Sequence, residues 1–424
     1  MTGFRTLPSL LLSAGIAAGS ALAFASPAAA QLQGSLPEDK MKQLEERLET
    51  LEKNVGKVKI KDNGLRIDSL DKMFQFRAGG RIMYDITAYD DDVTALTGFG
   101  HEMRRARFFL RGKLYKDWEY KFQVDVADNG LDIKDMYIKY KGFSPVNVTV
   151  GQFKVPFSFE ELTSSKYDTF IEQSAVTETL GLGRQRGAML NGGSGMFGAA
   201  FGVFLGDDTA DTDGSDATAD DDIIIAGRLF AAPVNEKART IHIGGGFIYQ
   251  NLNSERGNRF RARPARSHLT STRLIDTGTI SAIDDITRFG AEFAGVYDQV
   301  WIQAEYQRAD VSRIAGNEPD FDGAYINVGA FLFGEGDLFK PYDDGEFGRP
   351  KVFNAVEVAF SYDTLDLTDS GVDGGEQDSY TFGLNYYFNP YVVAKLNYSQ
   401  SDIEVPGSPD EDVGAFMARI QLDF

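Results

Sequence analysis

The chain of 424 residues contains no cysteine, so neither a disulfide framework nor a thiolate metal site is available to it. Its three histidines, His101, His242 and His268, fall at spacings that match neither a zinc site nor a Ser–His pair. That scarcity argues against an enzyme, and no cofactor or metal is expected. Basic residues are in deficit, with 43 Lys and Arg against 63 Asp and Glu. The resulting net charge of −20 excludes the basic footprint of a nucleic-acid binder. Beyond residue 30 there is no apolar run long enough to cross a bilayer as a helix. The acidic run Asp207 to Asp222 and the triplet Asp410-Glu411-Asp412 read as solvated negative loops in preference to Ca²⁺ or Mg²⁺ sites.

What is present begins with an export signature. Arg5 supplies a positive start, Leu7 to Phe24 is apolar and small, and Ala28-Ala29-Ala30 precedes Gln31 as a cleavage site would, so residues 1–30 read as a signal peptide. Residues 31–63 read as a periplasmic segment carrying a helix from Asp39 to about Lys59. Leu44, Leu48, Leu51, Val55 and Val58 form an a/d seam on it. Two heptads are too few for an isolated coiled coil, but suffice where a trimer already holds three copies together.

The rest of the chain alternates. Phe416, Ala418, Ile420, Leu422 and Phe424 interleave with Met417, Arg419, Gln421 and Asp423, the pattern of a half-buried strand. A closing strand ending on Phe resembles the assembly signal of bacterial outer-membrane β-barrels. The chain holds 32 Phe, 18 Tyr and 45 Gly, yet its mean hydropathy is only −0.26. A transmembrane barrel produces this combination, because lipid-facing and water-facing residues cancel in any window.

Residues 64–424 are therefore expected to form an all-β, antiparallel transmembrane barrel of about sixteen strands. The first starts at Phe74, and the others read 103–115, 117–127, 131–141, 145–154, 186–194, 196–206, 222–232, 240–250, 286–297, 299–311, 321–333, 354–364, 378–389, 391–401 and 413–424. An even count puts both barrel ends in the periplasm. Connections predicted periplasmic are mostly tight, such as Lys116-Asp117, Gly195 and Asn389-Pro390, and those predicted extracellular are longer and polar. Two connections stand apart by length, Val155 to Gln185 outside and Gly334 to Phe353 inside, and both are candidates to fold into the lumen. Trp118, Tyr120, Tyr140, Tyr386, Tyr391 and Tyr398 sit near strand ends, as expected at lipid interfaces.

Alternation also assigns faces. Ala106, Phe108, Leu110, Gly112 and Leu114 take the lipid side, which turns Arg105, Arg107, Arg111 and Lys113 inward. Neighbouring strands add Arg77, Arg81, Lys121, Lys139 and Lys141, with Glu119, Asp125 and Asp135 among them. A charge facing mid-membrane lipid would cost about 2–4 kcal/mol, so the lumenal assignment is nearly forced. A basic wall in a low-dielectric tube concentrates anions. The third outer loop and its flanks add Lys154, Lys166, Arg184 and Arg186, with Ser158, Thr163, Ser164 and Ser165 as hydroxyl donors, a combination suited to a tetrahedral oxyanion. In the fifth outer loop Arg256, Arg259, Arg261, Arg263, Arg266 and Arg273 read either as a basic funnel at the mouth or as a solvated, lipopolysaccharide-contacting loop.

Four strings carry a more specific resemblance: RRARFFLRGKLYKDWEYKFQVDVADN, IKDMYIKYKGFSPVNVTVGQFKVPFSFEELTSSKYDTFIEQS, RPARSHLTSTRLIDTG and FGRPKVFNAVEVAFSYDTLDLTD. They are similar to the phosphate-selective porin O and P family over most of the chain from about residue 64. The resemblance implies a trimer of sixteen-stranded barrels with an in-folded third loop and an Arg/Lys path for phosphate or pyrophosphate. It places Arg104 and Arg105 at the constriction, Lys121 on the wall and Ser164-Ser165-Lys166-Tyr167 in the loop. Where relatives often have Glu in GQFKEPF, this chain has Val155. Expected partners are small anions, outer-membrane lipids and lipopolysaccharide, the barrel assembly machinery through Phe424, and two further copies of the chain. The alternatives are a porin for organic acids or anionic sugars, and an envelope tether acting through the coiled coil.

Overall fold

The computed structural model describes residues 38–54, 57–60, 64–90, 96, 98–127, 130–206, 222–252 and 257–424. The expected signal peptide, Val55, Arg256 and all of the acidic run except Asp222 lie outside these residues.

Helix α1, Glu38–Asn54, forms a unit by itself, with Met41 and Leu44 exposed on it. It ends earlier than the seam predicts. Val58 lies instead on a strand, Lys57–Ile60, which pairs antiparallel with Leu65–Asp68. The reason is legible: Gly56 is a poor helix residue, and the alternating, β-branched run that follows favours a strand.

The second unit is a closed barrel of sixteen antiparallel strands. They are β1 Gln75–Asp90, β2 Gly98–Leu114, β3 Trp118–Asp125, β4 Asp132–Phe143, β5 Val146–Lys154, β6 Arg184–Ser194, β7 Phe197–Leu205 and β8 Ile223–Glu236; then β9 Arg239–Asn251, β10 Ile283–Tyr297, β11 Val300–Arg313, β12 Asp320–Asp337, β13 Lys351–Asp369, β14 Val372–Asn389, β15 Val392–Glu404 and β16 Glu411–Asp423. Each strand pairs with the next, and β16 pairs with β1. Closure satisfies every ladder, which is what a lipid surround demands. Phe424 completes the seam, its N–H donating to the Gly80 carbonyl (3.1 Å) and its carbonyl accepting from the Gly80 N–H (2.8 Å). Outward positions carry Phe108, Leu110, Phe201, Leu229, Phe382 and Phe416, all exposed, while Arg81, Arg105, Arg107 and Asp125 on the opposite face are buried. Aromatic pairs such as Trp118–Tyr140 (4.7 Å between centroids) and Tyr398–Phe416 (4.5 Å) band the outside.

One outer connection is shorter than expected. The polar stretch 365–377 continues β13 and β14 up to a tight Ser370-Gly371 turn, where both residues have positive φ. Leu365 and Leu367 keep the alternation, pointing inward and fully buried, so the strands extend although their outward residues, Asp366, Glu376 and Asp378, are acidic.

Among the described residues, three connections fold into the lumen. The third outer loop, 155–183, carries α2 (Phe159–Leu162) and α3 (Ala175–Leu180), capped by Ser158 and Ser174. Acceptors and donors on β11 and β13–β16 hold much of it against one side of the barrel. Glu305 accepts from Ser158 Oγ (3.1 Å) and the Glu160 N–H (2.6 Å), Asp363 from the Ala175 N–H (3.1 Å), and Asn397 from the Ile171 N–H (2.7 Å). Asn385 donates to the Thr169 carbonyl (3.0 Å) and Gln421 to that of Lys166 (3.0 Å). The fifth outer connection, 252–282, packs Phe260, Ala262, Ala265 and Ile275 into an apolar cluster with Val176, Leu180 and Leu365. The periplasmic connection 338–350 enters from the other end and places Phe347 edge-on against Phe159 (5.0 Å).

This arrangement corrects the reading of the fifth-loop arginines as a free basic funnel. Arg266 is 3% exposed and donates to Ser361 Oγ (2.8 Å) and the Gln173 carbonyl (3.0 Å). Arg263 pairs with Glu178, Arg259 with Asp276, and Arg273 donates to the Thr270 and Thr272 carbonyls. Arg261 is exposed. The loop carries its own carboxylate at Asp276 and meets Glu178 on the third loop, so most of its guanidiniums fix a lid. His101, expected in a loop, stands on β2 beside Tyr84, and His268 Nδ1 meets Glu102 (2.9 Å).

Candidate functional site

The third loop packs mainly against β11 and β13–β16, and open space remains along β1–β8. A cavity of about 410 Å³ lies there. Into it point Arg81, Arg105, Arg107, Lys121, Lys139, Lys154, Arg184 and Arg228, together with the carboxylates of Asp135, Glu161, Asp344 and Glu346. Ser164 and Ser165 form part of the wall on the loop side.

The carboxylates at and behind the cavity wall are shared among several cations. Asp135 accepts from both Lys121 (2.6 Å) and Arg184 (2.9 Å). Glu172 sits among Arg104 (2.9 Å), Arg105 (3.3 Å) and Arg419 (2.7 Å), the last also holding Asp85 (2.6 Å). Arg107 has Asp125 to itself (2.6 Å). Arg81 donates to Ser165 Oγ (2.5 Å), a neutral acceptor whose own proton remains free to point elsewhere. Lys139 forms no ion pair among the described residues. Strand register adds a second sign of excess positive charge. Arg81 lies directly opposite Arg107, Arg77 opposite Arg111, and Arg111 opposite Lys121. Like charges in register destabilise a sheet unless something negative lies between them.

Arg104 and Arg105 are adjacent, so strict alternation would send one of them into lipid. A bulge prevents this: Met83 pairs with Arg105, whereas Asp85 pairs with Glu102, leaving one extra residue on β2. Both guanidiniums therefore reach Glu172 inside the barrel.

The other predicted residues are distributed as follows. Arg77, Arg111 and Lys113 lie lower on the lumenal wall, with Lys113 beside Glu119 (3.3 Å) and Arg111 over the Phe109 ring (5.3 Å). Lys166 does not line the cavity; its ammonium lies near the rings of Phe109 (5.9 Å) and Tyr167 (5.5 Å). Lys154 is tied to the third loop, donating to the Thr163 carbonyl (3.1 Å) and to that of Glu161. Arg186 is a correction: it shares the outer face with Ala188 and Leu190, whereas Met189 and Asn191 line the cavity. The chain changes face where β6 leaves the loop, so parity counted from Arg184 fails there. Val155 joins an apolar cluster with Phe153, Phe157 and Phe204.

Alternation and composition do not single out Arg228, Glu161, Asp344 or Glu346. Around Arg228 both faces of β8 are apolar, with Ile223, Ile224 and Ile225 in succession, so alternation carries no facing signal. For Asp344 and Glu346 the sole signal was the length of their connection.

A family model described as "Phosphate-selective porin O and P" matches residues 76–424. The chain belongs to that family. Among curated relatives, an uncharacterised protein of Caulobacter vibrioides is 30% identical over 82% of this chain and 74% of its own length. Porin O of Pseudomonas aeruginosa is 26% identical over 85% of this chain and 91% of its own. Of solved structures, the anion-selective porin from Comamonas acidovorans superposes with a TM-score of 0.56 at 13% identity, covering 83% of this chain and all of that one, which shows a shared fold. This member of the porin O and P family is thus a bacterial outer-membrane porin, a channel rather than an enzyme.

Proposed function

We propose that this porin passively conducts small anions, phosphate or pyrophosphate by preference. The observation carrying the reading is the cavity wall, where eight cationic side chains face four carboxylates and two of the cations, Arg81 and Lys139, form no ion pair among the described residues. The names of Porin O's family and of the Comamonas porin point the same way. An entering oxyanion exchanges part of its hydration for guanidinium, ammonium and serine donors, then moves between them. Binding must be strong enough for entry and weak enough for exit.

The test is chloride conductance of the reconstituted porin in a planar bilayer during phosphate titration. Block at micromolar to low-millimolar phosphate is expected. Replacing Arg105 and Lys121 by Ala should weaken it about 100-fold or more, since two hydrogen bonds to charged groups are each worth roughly 1.5–3 kcal/mol. The fold should survive, because Glu172 keeps Arg104 and Arg419, and Asp135 keeps Arg184. Large, unblocked conductance would refute the reading. We further propose a homotrimer in which the seam of α1 adds a contact among copies that the barrels already hold together; light scattering in detergent should show a trimer, and deleting residues 38–54 should lower the temperature at which it dissociates without abolishing it.

A further inference from the structure

The periplasmic connection 338–350 ends in a small hairpin, Tyr342–Asp343 paired with Glu346–Phe347. Its tip, Asp344-Gly345, has φ of 50° and 85°, the two-residue turn that Asp-Gly sequences favour. The tip is held on three sides. Arg228 Nη2 donates to the Gly345 carbonyl (2.7 Å), the Tyr342 hydroxyl lies 2.8 Å from His242 Nδ1, and Phe347 packs edge-on against Phe159. A Cβ at Gly345 would sit 2.9 Å from Arg228 Nη1 and from the Phe230 ring, so the contact has no slack.

This fixation has a chemical consequence. Asp344 and Glu346 line the cation-rich cavity; burial pushes the Glu346 carboxyl up to about 7 against the pull of Lys154 and Arg228, and neither carboxyl forms an ion pair among the described residues. The hairpin holds them back from the charges they face. Once ionised, above about pH 7 for Glu346, a carboxylate is an acceptor without a proton to give. To chloride or sulfate it offers repulsion alone. Phosphate near neutral pH still carries one or two P–O–H groups, so it can donate to Asp344 or Glu346 while another of its oxygens accepts from Lys139, which lies within electrostatic reach of both.

Resting on the anion reading above, we infer that Asp344 and Glu346 set specificity, making the pore select oxyanions that keep a proton over those that have none. The substrate class is then hydrogenphosphate-like. The experiment compares phosphate and sulfate as blockers of chloride current in the reconstituted porin at about pH 8, where Glu346 is ionised and phosphate keeps one P–O–H, wild type against Asp344→Asn/Glu346→Gln and against Glu346→Gln alone. Asn accepts positive φ readily and both amides are near-isosteric, so the hairpin should be retained. Phosphate is expected to block the wild type at a concentration at least about tenfold below sulfate, and the ratio should fall to about one in the double variant. A ratio that survives both substitutions, or a wild type that does not discriminate, overturns this inference while leaving anion conduction intact. Absence of block by either anion in the wild type overturns both.

Discussion

Arg419→Ala is expected to open the pore and to loosen the third outer loop by about 3–5 kcal/mol, the usual cost of stripping one partner from a buried ion network. Arg419, on β16, donates to Asp85 (2.7 and 2.6 Å), to Glu172 (2.7 Å) and to the Ile171 carbonyl (2.6 Å). Three elements meet at this one guanidinium: β1, β16 and the loop. Glu172 would retain Arg104 and Arg105, but Asp85, 5% exposed, would be left without its bidentate partner. Single-channel conductance should rise on the order of twofold or more, anion preference should fall, and limited proteolysis should cut within 155–183. Arg419→Lys keeps the charge but lacks the planar fork, so it should fall between. Unchanged conductance and protease resistance in Arg419→Ala would show that the remaining tethers hold the loop without it.

The second large effect is expected at the barrel seam. Removing Phe424 takes away both hydrogen bonds to Gly80, and an unsatisfied backbone group facing hydrocarbon costs several kcal/mol. Gly80→Val attacks the same place from the other strand: a Cβ there would lie 2.5 Å from the Arg107 carbonyl oxygen and 2.7 Å from the Phe424 ring. Both changes should sharply reduce the protease-resistant, heat-modifiable barrel recovered from detergent refolding. Phe424→Ala separates structure from recognition. It keeps the backbone bonds and loses just the ring, which meets Phe108 edge-on at 6.1 Å. If the assembly machinery reads the aromatic, this variant should refold in vitro and fail in cells; equal yield in both settings would remove that proposed partner.

Much of this molecule was legible from period-two alternation, because a wall one residue thick must declare each side chain to lipid or to lumen. The inward placement of Arg81, Arg105, Arg107, Lys121 and Lys139 follows from that rule alone. The rule fails where the backbone departs from regular pleating. Arg104 turns inward through a bulge that pairing register reveals and composition does not. Arg186 lies outward because the face changes where β6 emerges from the loop. Loop contacts were less legible still. Length announced that 155–185 and 334–353 had somewhere to go, but not that Asp344 and Glu346 would arrive beside Lys154. The fifth-loop arginines looked like a funnel because their partners, Glu178, Ser361 and the Gln173 carbonyl, lie some 85 to 95 residues away.

The way the third loop is tethered bears on the order in which the molecule is made. Its partners Glu305, Asp363, Asn385, Asn397, Arg419 and Gln421 follow it by about 145 to 255 residues. Until those strands arrive, Phe159 and Phe170, both buried in the finished protein, lack the cluster they form with Trp301, Phe347 and Ala359. Contacts of such long range are slow to form and leave the intervening chain prone to association. The narrowing of the pore is therefore among the last features to be installed, and the early half of the chain must be kept from aggregating while its second half is delivered.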